Sequence, residues 1–204
     1  MKRILVTGFE AFGEDRINAS WEAVEALPDV IGETEIVKWC LPVEYDRVEG
    51  CLKGFMEELE PNAVVCVGQA AGRTAITPEK AAINWMASGT ADNAGVKYEG
   101  VRICDDEVAA DGYFASLPVE KIEAVLKKAG IPAQVSYTAG TYVCNRVMYG
   151  LLRYLRQQAS PIKGGFIHVP CSSDQGAENP RLPSMSKEMI AKGLETALEV
   201  IAKA

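Results

Sequence analysis

Short apolar runs alternate with amphipathic stretches along most of the chain. Residues 2–7 (KRILVT) and 62–67 (NAVVCV) are rich in β-branched residues and each is followed by glycine, which predicts buried strands opening into loops. Residues 34–41 (TEIVKWCL), 133–138 (AQVSYT) and 164–169 (GGFIHV) read as further strands. Between them, Trp21, Val24 and Leu27 fall at helical spacing within 18–27, behind Asn18 or Ser20 as an N-cap. Helical patterns recur at 43–59, at 118–129, which begins on Pro118 and stops before Gly130, at 144–157 and at 186–202. Strands alternating with helices at these intervals predict a mostly parallel, mixed sheet covered on both faces, a three-layer α/β/α sandwich. Only 84–116, rich in Gly, Asp and Ala, breaks the rhythm and reads as a long excursion of the kind that often carries function. No repeat or linker divides the chain, so residues 1–204 are expected to form one domain.

Charge then narrows the partners. A net charge of -7 and a pI near 4.9 argue against a nucleic acid, whose phosphates are bound by clustered Lys and Arg. The apolar run Ile4–Val6 is too short for an export signal, and charges at Lys187, Glu188, Lys192, Glu195 and Glu199 interrupt the last helix. A cytoplasmic protein with no membrane partner is the expectation. Six dispersed cysteines without a CxxC pair fit a reducing compartment.

The single histidine, His168, must serve any chemistry that needs an imidazole. It lies near the C-terminal end of its strand, the edge at which open α/β sheets place their sites. Cys144 falls where a small-residue turn (TAGTY) enters a helix; free N–H groups and the helix dipole there favour a thiolate, which predicts a lowered pKa and a place to hold an oxyanion. Either residue could equally be a satisfied core group, as Cys40 and Cys66 are expected to be. His168 and Cys171 supply only two ligands, too few for a metal, and Gly8–Gly13 lacks the Lys-Ser/Thr ending of a phosphate loop. Phe9 and Phe12 in that segment could wall a small apolar pocket or simply pack on the next helix. Glu79, just after a proline, is one of 28 acids and has no distinction on pattern alone.

Taken in order, VTGFEAFG, NASWEAV, VCVGQAAGR, ITPEKAAIN, YTAGTYVCN and GGFIHVP resemble the pyroglutamyl (pyrrolidone-carboxylate) peptidase family over nearly the whole chain. The resemblance implies a cysteine peptidase that removes an N-terminal pyroglutamyl residue from peptides, without a cofactor, through Cys144 as nucleophile, His168 as base and Glu79 orienting the imidazole. It also implies that Phe9, Phe12, Gln69 and Val143 line a lactam pocket, and that the protein is a homodimer or homotetramer. Two departures stand out. Gly89 takes the place of an arginine expected near the thiolate, a space that Arg73, Arg102 or Arg146 could reach instead, and Arg146 stands where the family has a histidine. Two rival readings follow: a relative that binds the lactam but has lost turnover, and a different α/β/α enzyme resembling nucleoside phosphorylases.

Overall fold

A computed structural model describes residues 1–204. In chain order the elements are β1 (Lys2–Phe9), α1 (Ala19–Glu25), β2 (Val30–Ile31), β3 (Thr34–Leu41), α2 (Val48–Leu59), β4 (Ala63–Gln69), β5 (Thr77–Glu79), β6 (Ala81–Ile83), β7 (Met86–Ala87), β8 (Glu99–Val101) and β9 (Gly112–Phe114). They continue with α3 (Val119–Lys128), α4 (Val143–Gln157), β10 (Lys163–Val169), β11 (Cys171–Ser172), α5 (Ser173–Glu178), β12 (Ser184–Met185) and α6 (Lys187–Ala202). The central sheet runs β2-β3-β1-β4-β10-β5, with β3, β1, β4 and β10 parallel and both edge strands antiparallel.

Alternation along the parallel strands sorts side chains into two cores, because successive residues of a strand point to opposite faces. Ile4, Val6, Val65, Val67 and Ile167 pack with α1, α3 and α6, whereas Leu5, Val64, Cys66 and Phe166 pack with α2 and α4. This is the expected three-layer sandwich with both sheet faces covered. No helix is long and apolar enough to cross a membrane.

Three expectations shift. The helix expected over 43–59 starts only at Val48, because earlier amides are taken by carboxylates: Val43 N donates to Glu10 Oε1 at 3.1 Å and Tyr45 N to Asp92 Oδ2 at 2.8 Å. Residues 133–138 are extended but form only isolated bridges beside β5, at Ile76–Ala133 and Glu79–Ser136. Pro78, in the middle of β5, has no N–H to contribute to a continuous ladder there. The 84–116 excursion is partly ordered into two small ladders, β7 with β8 and β9 with β6.

The excursion folds back towards β1. Asn93 Nδ2 donates to Glu10 Oε1 and to Ala11 O, each at 2.9 Å, and Tyr142 Oη donates to Ala91 O at 3.0 Å. Asp92 organises this tip: besides Tyr45 N it accepts from Ala94 N at 3.0 Å and Val96 N at 2.7 Å, while itself buried. Asp92→Ala leaves three donors unpaired, and an unsatisfied buried polar group costs about 1–3 kcal/mol. We expect a loss of about 2 kcal/mol or more, seen calorimetrically as a Tm lower by about 4–8 °C for a chain of this size. A Tm within a degree of wild type would show that the loop has another anchor.

Candidate active site

Three elements converge where β4 and β10 end. Cys144 is the second residue of α4, whose N-cap, Tyr142, makes no side-chain capping bond, so the first-turn amides stay open. The turn before it depends on Gly140, whose φ of +80° suits glycine. A Cβ built on Gly68 would lie 2.9 Å from Cys144 Sγ, so the thiol rests on bare backbone of β4. Gly68 is the sheet partner of His168, so the thiol and the imidazole lie over neighbouring strands on the same face of the sheet.

His168 is buried, packed at a 50° tilt against Phe166 with centroids 4.7 Å apart, and its Nδ1 lies 2.7 Å from Glu79 Oε1. An ionised carboxylate only accepts, so Nδ1 carries the proton and Nε2 is bare in the neutral ring. The same Oε1 accepts from Arg73 Nη1 at 2.6 Å; Arg73 also donates to Thr77 Oγ1 and to Thr138 O. Glu79 is fully buried and its other oxygen, Oε2, has no hydrogen-bond partner. Burial works to raise the Glu79 carboxyl, but the bond to His168 and its charge, then the Ser136 hydroxyl, and last the Arg73 charge outweigh it and hold the group below the usual carboxylate range. Burial likewise pulls the imidazole below its ordinary value, Arg73 adding to the effect while Glu79 opposes it.

The thiol departs from expectation. Burial pushes Cys144 up to about 12, the negative charge of Glu79 and the neighbouring Cys66 add to this, and Arg73 offsets only part. Desolvation thus outweighs the helix start as a determinant of the resting state. The resting pair is a neutral thiol beside a neutral imidazole.

Around the thiol, Phe9 closes β1 and is buried against Phe166, ring centroids 6.3 Å apart, so it belongs to the strand rather than to an open loop. Phe12 is partly exposed and faces the Tyr142 ring at 6.2 Å. Val143 is buried at the first position of α4. Gln69 ends β4 with its amide committed on both sides, accepting from Ala19 N at 2.8 Å and donating to Asp15 Oδ2 at 3.3 Å. Gly89 is exposed with nothing near its Cβ position. Arg102 pairs with Asp111, and Arg146 with Glu49 and Ile103 O, leaving Arg73 as the cation that acts on the thiol. The larger surface depressions contain neither Cys144 nor His168.

The profile of the pyroglutamyl peptidase family matches residues 2–204. The chain belongs to this family. A pyrrolidone-carboxylate peptidase of Thermococcus kodakarensis is 46% identical over 199 residues, covering 98% of this chain and 95% of the relative. One from Brachyspira hyodysenteriae is 43% identical, with 97% of each chain covered. The solved pyroglutamyl peptidase I of Bacillus amyloliquefaciens superposes with a TM-score of 0.95 at 38% identity, covering 100% of this chain and 98% of that one. These likenesses identify a hydrolase of the cysteine-peptidase class and give no support to the phosphorylase-like or turnover-deficient readings.

Two residues beyond Glu79, Cys144 and His168 also shape the site. Asn145, next to Cys144 and fully buried, donates to Ile83 O and Trp85 O and accepts from Ile83 N, riveting the β6–β7 segment to α4. Gly68 supplies the space for the thiol. Nothing in the periodicity distinguished either one, since their partners lie far away in sequence.

Proposed function

We propose that the chain hydrolyses the bond after an N-terminal pyroglutamyl residue, with Cys144 as nucleophile, His168 as general base and acid, and Glu79 as the group that orients the imidazole. The observation that carries this reading is the Glu79–His168 bond at 2.7 Å beside a helix-start thiol in a chain matched end to end by a peptidase family. Sγ gives its proton to His168 as it attacks the pyroglutamyl carbonyl, and the open first-turn amides of α4 face the developing oxyanion. Collapse expels the peptide amine, which takes the proton from His168 and leaves a thioester. Water, deprotonated by His168, cleaves the thioester to free pyroglutamate and restores the thiol.

Phe9, Phe12 and Val143 supply apolar walls suited to a flat, neutral lactam, and a charged N-terminus entering there would lose its hydration without a partner. Gln69, with both amide ends committed, acts in our reading chiefly by shaping the pocket through Ala19 and Asp15. Six free cysteines suit a reducing cytoplasm. Exposed Ile83, Trp85, Val101 and Phe114 suit self-association into a homodimer or homotetramer.

The test is release of a chromophore from a pyroglutamyl amide, with prolyl and glutamyl amides as controls. Turnover of all three alike, or of none, would overturn the assignment.

Because the resting thiol is neutral, its reactivity should depend on the neighbouring base. Iodoacetamide is expected to modify Cys144 at pH 7 at least tenfold more slowly in His168→Ala than in wild type, since the thiolate is the reacting form. In that variant the rate should climb through the alkaline range without a plateau. Equal rates at pH 7, followed by peptide mapping, would mean that Cys144 ionises without His168.

A further inference from the structure

Glu79 Oε1 is approached from two sides, by His168 Nδ1 at 2.7 Å and by Arg73 Nη1 at 2.6 Å, while Oε2 makes no hydrogen bond of ordinary length and the carboxylate's remaining polar neighbour is the Ser136 hydroxyl. One oxygen of a fully buried carboxylate therefore serves both a permanent cation and a titratable ring. The charged and titratable groups around the imidazole are few: Glu79 on β5, Arg73 on the loop before it and Cys144 on α4, with Cys66 on β4 facing the thiol. The sheet partners of His168, Gly68 and Thr77, carry no charge. Arg73 is thus the sole fixed positive charge in contact with the pair.

A buried carboxylate without a counter-ion has two ways to lose its charge penalty. It can take a proton itself, or it can draw one onto the neighbouring imidazole. Either outcome removes the arrangement that catalysis needs, an ionised Glu79 beside a neutral His168 with a free lone pair. A guanidinium is always charged and offers several donors in a fixed plane, so it can hold the carboxylate and Thr138 O together without itself titrating. Building on the triad reading above, we infer that Arg73 is a positioning residue which, by sharing Glu79 Oε1 with His168, keeps the carboxylate ionised and the imidazole uncharged at and below neutral pH. The repulsion between guanidinium and imidazolium supplies the sign: with Arg73 present, protonation of His168 requires more acid. The Arg73 charge acts downward on Glu79, on His168 and on Cys144 alike, although burial leaves the thiol raised overall.

His168 is the only histidine, so its ring signals can be followed by NMR without assignment. The experiment titrates His168 in wild type, Arg73→Gln and Arg73→Lys, and measures kcat/KM against pH for the same proteins. Loss of a contacting charge shifts a partner by roughly one to three units. In Arg73→Gln the imidazole midpoint and the acidic limb of kcat/KM should both rise by about one unit, so that activity falls by about threefold more at pH 6 than at pH 8, and by about tenfold only well below both midpoints. Arg73→Lys, which keeps the charge, should lie close to wild type in midpoint even if the lost fork lowers kcat. A folded Arg73→Gln protein with an unchanged midpoint, its activity reduced uniformly across pH, would overturn the inference and leave Arg73 a loop clamp. Should Arg73→Gln fail to fold, the wild type alone still decides: a midpoint at or above the ordinary imidazole value of about 6.5 contradicts it. A midpoint that moves while the acidic limb stays put would instead overturn the base role of His168 on which the inference rests.

Discussion

Cys144→Ala and His168→Ala are each expected to lower kcat/KM for a pyroglutamyl amide by about four orders of magnitude or more, and the double variant to be no slower than either. Nucleophile and base act as one unit, so their separate losses are not additive. Without Sγ no thioester forms. Without the imidazole the thiol stays protonated, because its surroundings push it up to about 12, and the leaving amine has no acid. Glu79→Gln should lose less: the amide oxygen can still accept from Nδ1, although the charge that stabilises the imidazolium is gone and the amide can flip to favour the wrong tautomer. The assay is single-turnover hydrolysis on protein shown to be folded by calorimetry. Full turnover in either alanine variant would remove that residue from the chemistry.

The second large effect is expected at a residue with no reactive group. An alanine at Gly68 would place its Cβ 2.7 Å from Phe166 Cζ and 2.9 Å from Cys144 Sγ, closer than real Cβ atoms approach. Phe166 is fully buried and has little room to retreat, so the thiol, on a single rotatable bond, is the part that yields. Overpacking of this kind costs about 1–3 kcal/mol of stability. Displacing a reacting atom by about an ångström costs on the order of a hundredfold in rate. Gly68→Ala should therefore fold, with a modestly lower Tm, and lose activity about a hundredfold, mainly in kcat. Activity within threefold of wild type would show that Sγ has slack the packing does not suggest.

How much of this was legible in the sequence depends on whether the relevant partner is near or far along the chain. Four of the expected strands, the covering of both sheet faces and the placement of Cys144 at a helix start follow from local patterns, and the structure bears those strands out to within two residues, whereas 133–138 forms only isolated bridges. Glu79 did not stand out because its partner His168 is 89 residues away, and periodicity carries no information about such pairings. Gly68 and Asn145 were silent for the same reason. The thiol was misjudged because a helix start is visible in sequence, whereas the desolvation that outweighs it is a property of the packed site. The late start of α2 likewise reflects carboxylates, Glu10 and Asp92, brought in from distant loops.

The antiparallel edge strand has a consequence for durability. Glu79 sits on three residues of β5, paired to β10 on one side and to scattered bridges with 133–136 on the other, with a proline between. The parallel strands that carry the rest of the site lie inside the sheet, whereas β5, though buried, is held on its outer side only by backbone bonds to residues 132–136. On warming, activity is therefore expected to disappear before the core melts, since release of this margin would free the carboxylate while thiol and histidine keep their places; loss of activity and of structure at one temperature would refute it.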